Sequence, residues 1–412
     1  MNPDAGKHWA APRWALALLL AALGMLGPFA IDTYLPAFAG IGQDLGADAV
    51  AMQQTLSAYL FAFAAMNLFH GALSDSFGRR PVVLAGIASF TFASIGCALS
   101  DSIGALVFFR AVQGLSTGAG IVVSRAVIRD LFPPADAQRV MSQVTLFFGL
   151  APAIAPLLGG WTFTLAGWRS IFWMLAALGA LLWLANLRYL PETLHRGQRQ
   201  PFSASHLLRG YVALGADPRF LLLALASGVP FNGMFLYVLS APVFLGEVLG
   251  LAPTQFFWFF IVSIAGIMGG AFTSGRLAGR ITPRRQVALG FAIMLSVAVV
   301  NVLIAFSLDP HPLWSIPPVA AIAFGWSLLT PSVTLLALDV VPERRGMAAS
   351  LQAFIGSTAN GIAAGVIAPL VMHSAVALAI GSGALMGVGL FAWLALRHRW
   401  PAATEALPHH RG

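Results

Sequence analysis

Two ionisable residues stand inside otherwise apolar stretches, and they define the chemistry this chain could do. Asp32, in Phe29-Ala-Ile-Asp32-Thr-Tyr34-Leu35-Pro36, is the only acid clearly within such a stretch. Arg110 lies in Arg110-Ala-Val-Gln113-Gly114. An arginine at the centre of a membrane helix costs about 2.5–3.5 kcal/mol on insertion scales, so it must face protein or water. It keeps its proton, so it can tune a neighbouring carboxylate but cannot carry protons itself. Burial and a nearby guanidinium pull a carboxylate's pKa in opposite directions. That balance suits Asp32 to binding and releasing a proton, with Arg110 at similar depth as its electrostatic partner.

The elements that must position this pair follow from composition. Of 412 residues, 58% are hydrophobic and 9% charged, with mean hydropathy +0.81. Soluble domains carry about 25% charged residues and need a polar shell this chain cannot supply. The apolar runs are long enough to cross a bilayer. A soluble enzyme and a nucleic-acid binder are thereby excluded. Lys7 and Arg13 precede the first run as in a signal peptide, but the run continues past Leu35 without a cleavage site and reads as a retained helix. Cys97 is the single cysteine, so an intrachain disulfide is excluded, and the nine histidines show no metal-binding spacing. No cofactor and no metal are expected.

Twelve spans are predicted, at about 14–38, 52–72, 82–100, 103–124, 140–163, 170–190, 220–245, 254–274, 286–307, 313–338, 347–371 and 375–396. The fold class is all-α integral membrane protein. Loops after even-numbered spans hold Arg79, Arg80, Arg125, Arg129, Arg139, Arg196, Arg199, Arg209, Arg276, Arg280, Arg284, Arg285, Arg344 and Arg345. The opposite loops hold Arg169 alone, beside Asp44, Asp48, Asp101, Glu247 and Asp309. This asymmetry places both termini and the even loops in the cytoplasm. The polar interval 191–219 divides the chain into a first half, 1–190, and a second, 220–412. A degraded echo of the segment from Gly71 recurs from Gly275 to Arg285, so the halves read as a parallel repeat.

Residues 71–82, GALSDSFGRRPV, fit G-x-L-x-D-x-x-G-R-R-x-V at every specified position. Gly71 permits close packing, Gly78 a tight turn, and Asp75 can accept from the arginines or face a helix N-terminus. Gly71, Asp75, Gly78, Arg79 and Arg80 thus read as a latch between the two halves. Here the chain resembles the major facilitator superfamily, whose signature lies in this cytoplasmic loop. Arg110-x-x-Gln113-Gly114 matches that superfamily's R-x-x-Q-G motif. Span 5 resembles the G-x-x-x-G-P-x-x-G-G motif of drug/proton antiporters, keeping Pro156, Gly159 and Gly160 but carrying Ala151 and Ala155 at the first two glycine positions. Pro156 is a candidate hinge.

The string Asp32-x-Tyr34-Leu35-Pro36, the pair Arg129-Asp130, Leu190-Pro191-Glu192-Thr193 and the stretch Ala226 to Pro242 narrow the resemblance to the Bcr/CflA drug-resistance subfamily. Ser76, Asn67-Leu68 and His70 depart from it. The resemblance implies a proton-coupled exporter of small amphipathic drugs in the bacterial inner membrane, acting as a monomer. Its substrate pocket is expected to draw on Asp32, Tyr34, Tyr59, Gln113, Asn232, Phe235, Tyr237, Gln352 and Asn360. An importer or an exporter of an endogenous metabolite is the alternative on the same fold. A membrane-embedded enzyme or receptor lacks any nucleophile–base set.

Overall fold

The computed structural model describes residues 13–132, 134–278, 280–341 and 344–401; Lys7 and Gly279 lie outside the described residues, as does the side chain of Arg139. Every element among the described residues is helical. In hydrocarbon each backbone N–H and C=O must be satisfied within its own segment, and the Leu- and Ala-rich runs do this as helices.

In chain order the spans are α1 (Arg13–Asp32, continued after a turn by Phe38–Leu45), α2 (Ala49–Asn67), α3 (Arg79–Ala98), α4 (Ile103–Leu131), α5 (Pro134–Ala166), α6 (Trp168–Tyr189), α7 (Pro218–Gly228, continued by Phe231–Leu239), α8 (Phe257–Leu277), α9 (Pro283–Ser307), α10 (Pro317–Asp339), α11 (Arg345–Ile362) and α12 (Ala375–Arg399). Ten of these are long and apolar enough to cross a bilayer outright, and the two pieces of α7, bent by 46°, make an eleventh. In α5, a 33-residue helix, Ile154–Ala166 stands out as an apolar stretch. Twelve helices therefore occupy the twelve expected positions, and the differences are local. The second span stops at Asn67, and a separate helix, His70–Phe77, completes the expected 52–72 run. The first and seventh spans are each interrupted near a proline, Pro36 and Pro230.

Starts are set by polar caps in the loops. Asp48 accepts from Ala51 N at 2.7 Å, Ser102 from Ala105 N at 3.3 Å, Asp217 from Arg219 N at 2.9 Å and Ser374 from Ala377 N at 3.3 Å. Such caps satisfy amides that have no partner in the first turn. Two compact units result: Met1–Ser203 with Pro253–Phe257, and Ala204–Ala252 with Trp258–Gly412. The interval 191–219 divides between them, and its second part carries a helix, Ala204–Gly215.

Within membrane-spanning bundles, packing rather than water exclusion joins helices, and small residues permit the closest approach. In the first unit Gly114 of α4 abuts the Tyr59 backbone and Gly159 of α5 the Thr33 backbone, leaving no room for a Cβ. In the second unit Gly266 and Gly270 of α8 lie as close to the backbone of α10, at Ala320 and Phe324.

Candidate functional site

The site in the first unit is built on the broken end of α1. Pro36 has no N–H, so the Asp32 carbonyl loses its helical donor. The chain tightens before it: Tyr34 N turns to Ile31 O at 3.2 Å, and both the amide and the hydroxyl of Thr33 reach Phe29 O, at 3.1 and 2.7 Å. This leaves the Ala30 carbonyl without its usual partner, Tyr34 N. Arg110 supplies the replacement, donating from Nη1 to Ala30 O at 3.0 Å.

Arg110 is fully buried, and its surroundings are organised to hold a charge. Nη1 also donates to Gln113 Oε1 at 2.6 Å, and Gln113 Nε2 donates on to Ser94 Oγ at 2.8 Å. The guanidinium carbon lies 4.8 Å from the ring centre of Tyr34 and 4.5 Å from that of Tyr59, within cation–π range. Both rings are pinned by their hydroxyls. Thr55 gives its own proton to Met52 O, so the 2.7 Å contact with Tyr34 is a donation from the tyrosine. The Tyr59 hydroxyl lies 3.0 Å from both Gly27 O and Thr117 Oγ1. Nε and Nη2 of Arg110 are buried with no hydrogen-bond partner.

Asp32 ends α1 at 6% exposure. Among the described residues it forms no ion pair with Arg110, whose bonds go to Ala30 and Gln113. The structure therefore brings Asp32, Tyr34, Tyr59, Arg110 and Gln113 into one region, with the two tyrosines and the glutamine packed as the cradle of Arg110.

A second polar centre lies in the other unit. Gln352 of α11 donates to Ser227 Oγ at 2.7 Å, and Trp326 of α10 donates from its indole to Ser227 O at 3.1 Å. Phe231 stacks on Phe235, with centroids 5.0 Å apart, and contacts Trp326 at 4.8 Å. Asn232 is fully buried and its Oδ1, like that of Asn360, has no partner. Tyr237 stands apart from this cluster, accepting from Asn301 Nδ2 at 2.7 Å and lying edge-on to Phe244. Ser227 and Trp326 were not singled out by the sequence. The usable signal was the indole N–H, which needs an acceptor when it lies inside a span.

The loop at 71–80 closes on itself within the first unit. Gly78 adopts φ +105°, a conformation suited to glycine, and separates His70–Phe77 from α3. Arg79 donates from Nη1 to Ser74 Oγ at 2.7 Å and to Asp75 Oδ1, and from Nε to Asp130 Oδ2 at 3.2 Å. Its backbone N–H, the first of α3, donates to Glu192 Oε1 at 3.0 Å, placing a carboxylate at the helix N-terminus. Thr193 Oγ1 also reaches Asp130, at 2.8 Å, and Arg80 donates to Leu187 O at 2.6 Å. All these partners of Arg79 belong to the first unit. Asp130 and Glu192 were noted in the sequence only as markers of resemblance. That acids are rare among so many arginines on this side was the sign that each has a partner. Gly71 faces Val122 across α4. On α5, Gly159 meets Thr33, Gly160 lies against the Pro253 backbone and Pro156 stands inside the helix.

Comparison with known proteins adds independent findings. The family model described as Major Facilitator Superfamily matches residues 18–365. A bicyclomycin resistance protein homolog of Haemophilus influenzae is 28% identical over 93% of this chain and 96% of its own length. Multidrug resistance protein D of Escherichia coli is 31% identical over 90% of this chain and 91% of its own. Among solved structures, a peptide transporter in complex with sulfate superposes with TM-score 0.76 at 15% identity, covering 95% of each chain. An inward-facing bacterial homolog of the lysosomal transporter Spinster gives 0.73 at 18%, covering 96% of this chain and 98% of that one.

Proposed function

The chain belongs to the major facilitator superfamily, a family of membrane transporters, and from that premise we propose that it exports small amphipathic drugs in exchange for protons. The observation that carries the coupling is Asp32: an acid at the broken end of α1, 6% exposed, in the same region as a buried arginine whose charge is already held by other groups. Because Arg110 does not clamp it, the carboxylate is free to exchange its proton. The named drug-resistance relatives, matched over most of their length, support export as the direction.

In the proposed cycle the chain works as two six-helix halves, 1–190 and 220–412, joined by 191–219; drug enters from the cytoplasm and favours loss of the proton from Asp32. The halves rock, and a periplasmic proton returns to Asp32 and displaces the drug. Both termini and the arginine-rich loops lie on the cytoplasmic side of the bacterial inner membrane, and the monomer is the working unit. Tyr34, Tyr59 and Gln113 act by holding Arg110. Phe235, Asn232, Gln352 and Asn360 of the second half offer the aromatic and amide groups for the drug, Tyr237 lies apart from them against Asn301, and Gly71, Asp75, Gly78, Arg79, Arg80, Pro156, Gly159 and Gly160 set the conformational change.

One proton per cycle makes export of a neutral drug electrogenic, worth about 2.3 kcal/mol per charge at 100 mV. The test is drug movement into or out of proteoliposomes with pH gradient and potential imposed separately. Asp32→Asn should bind drug and remain folded, yet lose uphill transport under either force. Uphill transport by Asp32→Asn at the wild-type rate would refute the assignment, and neutral-drug export that ignores potential would refute the single-proton scheme.

A further inference from the structure

Beside the Gly78 turn, in the first unit, the surface encloses a cleft of about 400 Å³ whose polar walls come from Arg80, Glu192, His195, Arg196 and Arg199. Three arginines line the cleft with one carboxylate, of which one oxygen is engaged. Glu192 Oε1 accepts from the backbone of Arg79 and of Leu194, each at 3.0 Å, while Oε2 lies 3.7 Å from Arg199 Nη2. The arginines are not used up in turn. Arg80 spends Nη2 on Leu187 O and leaves Nε buried without a partner; the Nε of Arg199 is buried and unpartnered as well. Glu192 Oε2 is buried without a hydrogen bond too, so a free acceptor stands beside the free donors, and what the cleft has in excess is positive charge, three guanidiniums against one carboxylate.

We propose that this cleft binds a phosphate group, supplied in the first place by the headgroup of an anionic phospholipid. Guanidinium forks match the oxygens of phosphate, which would accept from Arg196 and Arg199. The height of the cleft favours a lipid. Arg80 is the second residue of α3, and its partner Leu187 lies in the last turn of α6, where spans leave the hydrocarbon. Pro81 and Leu194 complete the wall with apolar surface. Such a site would act on the neighbouring loop. A Cβ at Gly78 would strike both Glu192 and Arg199, so the occupant lies next to the carboxylate that caps α3. A bound phosphate that draws on Arg199 alters the support of the Arg79 cluster.

The experiment uses the full chain in mild detergent, titrated with dioleoyl phosphatidylglycerol, with dioleoyl phosphatidylcholine, or with inorganic phosphate. Bound lipid is counted by native mass spectrometry, and the thermal midpoint is followed in parallel. Phosphatidylglycerol should bind and raise the midpoint, and phosphatidylcholine should not. The Arg196→Gln/Arg199→Gln variant should need on the order of thirtyfold more phosphatidylglycerol, the expected effect of two surface cations. Arg284→Gln/Arg285→Gln, which removes the same charge from the other unit, should respond as wild type. Inorganic phosphate that reproduces the shift and displaces the lipid would support the same site with a soluble phosphate as its occupant. Should the double variant fail to fold, Arg196→Gln alone, on an exposed residue, should still weaken binding severalfold. Equal responses from wild type and cleft variants, or equal losses from the cleft and control variants, would overturn the proposal.

Discussion

Each unit carries a donor on its fourth span that reaches a backbone carbonyl near the interruption of its first, but the two donors differ in kind and in burial, Arg110 being fully buried and Trp326 partly so. In the first unit Arg110 of α4 meets Ala30 O of α1; in the second Trp326 of α10 meets Ser227 O of α7. A helix interrupted by proline leaves carbonyls without amides, and a side chain from a neighbouring helix is the remedy the membrane allows. A neutral indole needs one acceptor and little else. A guanidinium brings a fixed charge, and the first unit surrounds it with a carbonyl, an amide oxygen and two tyrosine faces. The comparison teaches where ionic chemistry is affordable. On the proposed reading the first unit handles protons, and the second presents aromatic and amide groups of no net charge.

The largest effect should come from Arg110→Ala. It strips donors from Ala30 O and Gln113 Oε1 and opens a hole between Tyr34 and Tyr59, a loss of about 3–5 kcal/mol. Thermal unfolding in detergent should show it, and transport should vanish. Arg110→Lys, which keeps the charge but not the fork, should fall between. An active Arg110→Ala protein with the wild-type midpoint would erase the contrast between the units.

Gly159→Ala should come next. The added methyl runs into the Thr33 carbonyl, at the turn that also frees Ala30 O, and should cost up to about 3 kcal/mol. The second unit has a comparable approach between α7 and α11, where the methyl of Gly228→Ala, on the first span of that half, meets Gly356 Cα at 2.9 Å and should cost less. Paired midpoints would rank the two approaches, and a reversed order would show that α7 is the stiffer joint.

Trp326→Phe keeps an aromatic ring beside Phe231 but removes the pyrrole part of the indole with its N–H, leaving Ser227 O to find another donor. A loss of about 1–2 kcal/mol is expected, with transport reduced rather than abolished. Loss of all transport with an unchanged midpoint would mean that Trp326 contacts the drug directly.

The smallest effect belongs to Asp217, which caps α7. The hydrogen bond from Arg219 holds its carboxyl below the usual carboxylate range. A lowered pKa stabilises the fold above the ordinary carboxylate value and ceases to do so as pH falls through the lowered one. Asp217→Ala should therefore cost about 0.5–1 kcal/mol at neutral pH, and the gap to wild type should close on acidification. A gap that is constant with pH would assign the effect to packing.

How much of this was legible in the sequence follows from what membranes constrain. The twelve spans were readable because a span must be long and apolar, and the 71–82 loop because its glycines, acid and arginines recur at fixed spacing. What each span presents to its neighbours was harder to read, since a membrane helix is apolar on all sides. Tyr34, Tyr59 and Gln113 were expected in a drug pocket as aromatic or polar groups within spans, and the structure packs them around Arg110. The interruption at Asp32 was foreshadowed by Pro36 but hidden in a continuous apolar run. Glu192 finds Arg79 across 113 positions, a pairing no local pattern announces.

The order of synthesis gives the Arg110–Ala30 bond a further meaning. Ala30 is translated 80 residues before Arg110, so α1 precedes α4 into the membrane and its acceptor is there when the charge arrives. Insertion of α4 thus leans on α1, and a chain made without its first span should have difficulty retaining its fourth in the bilayer.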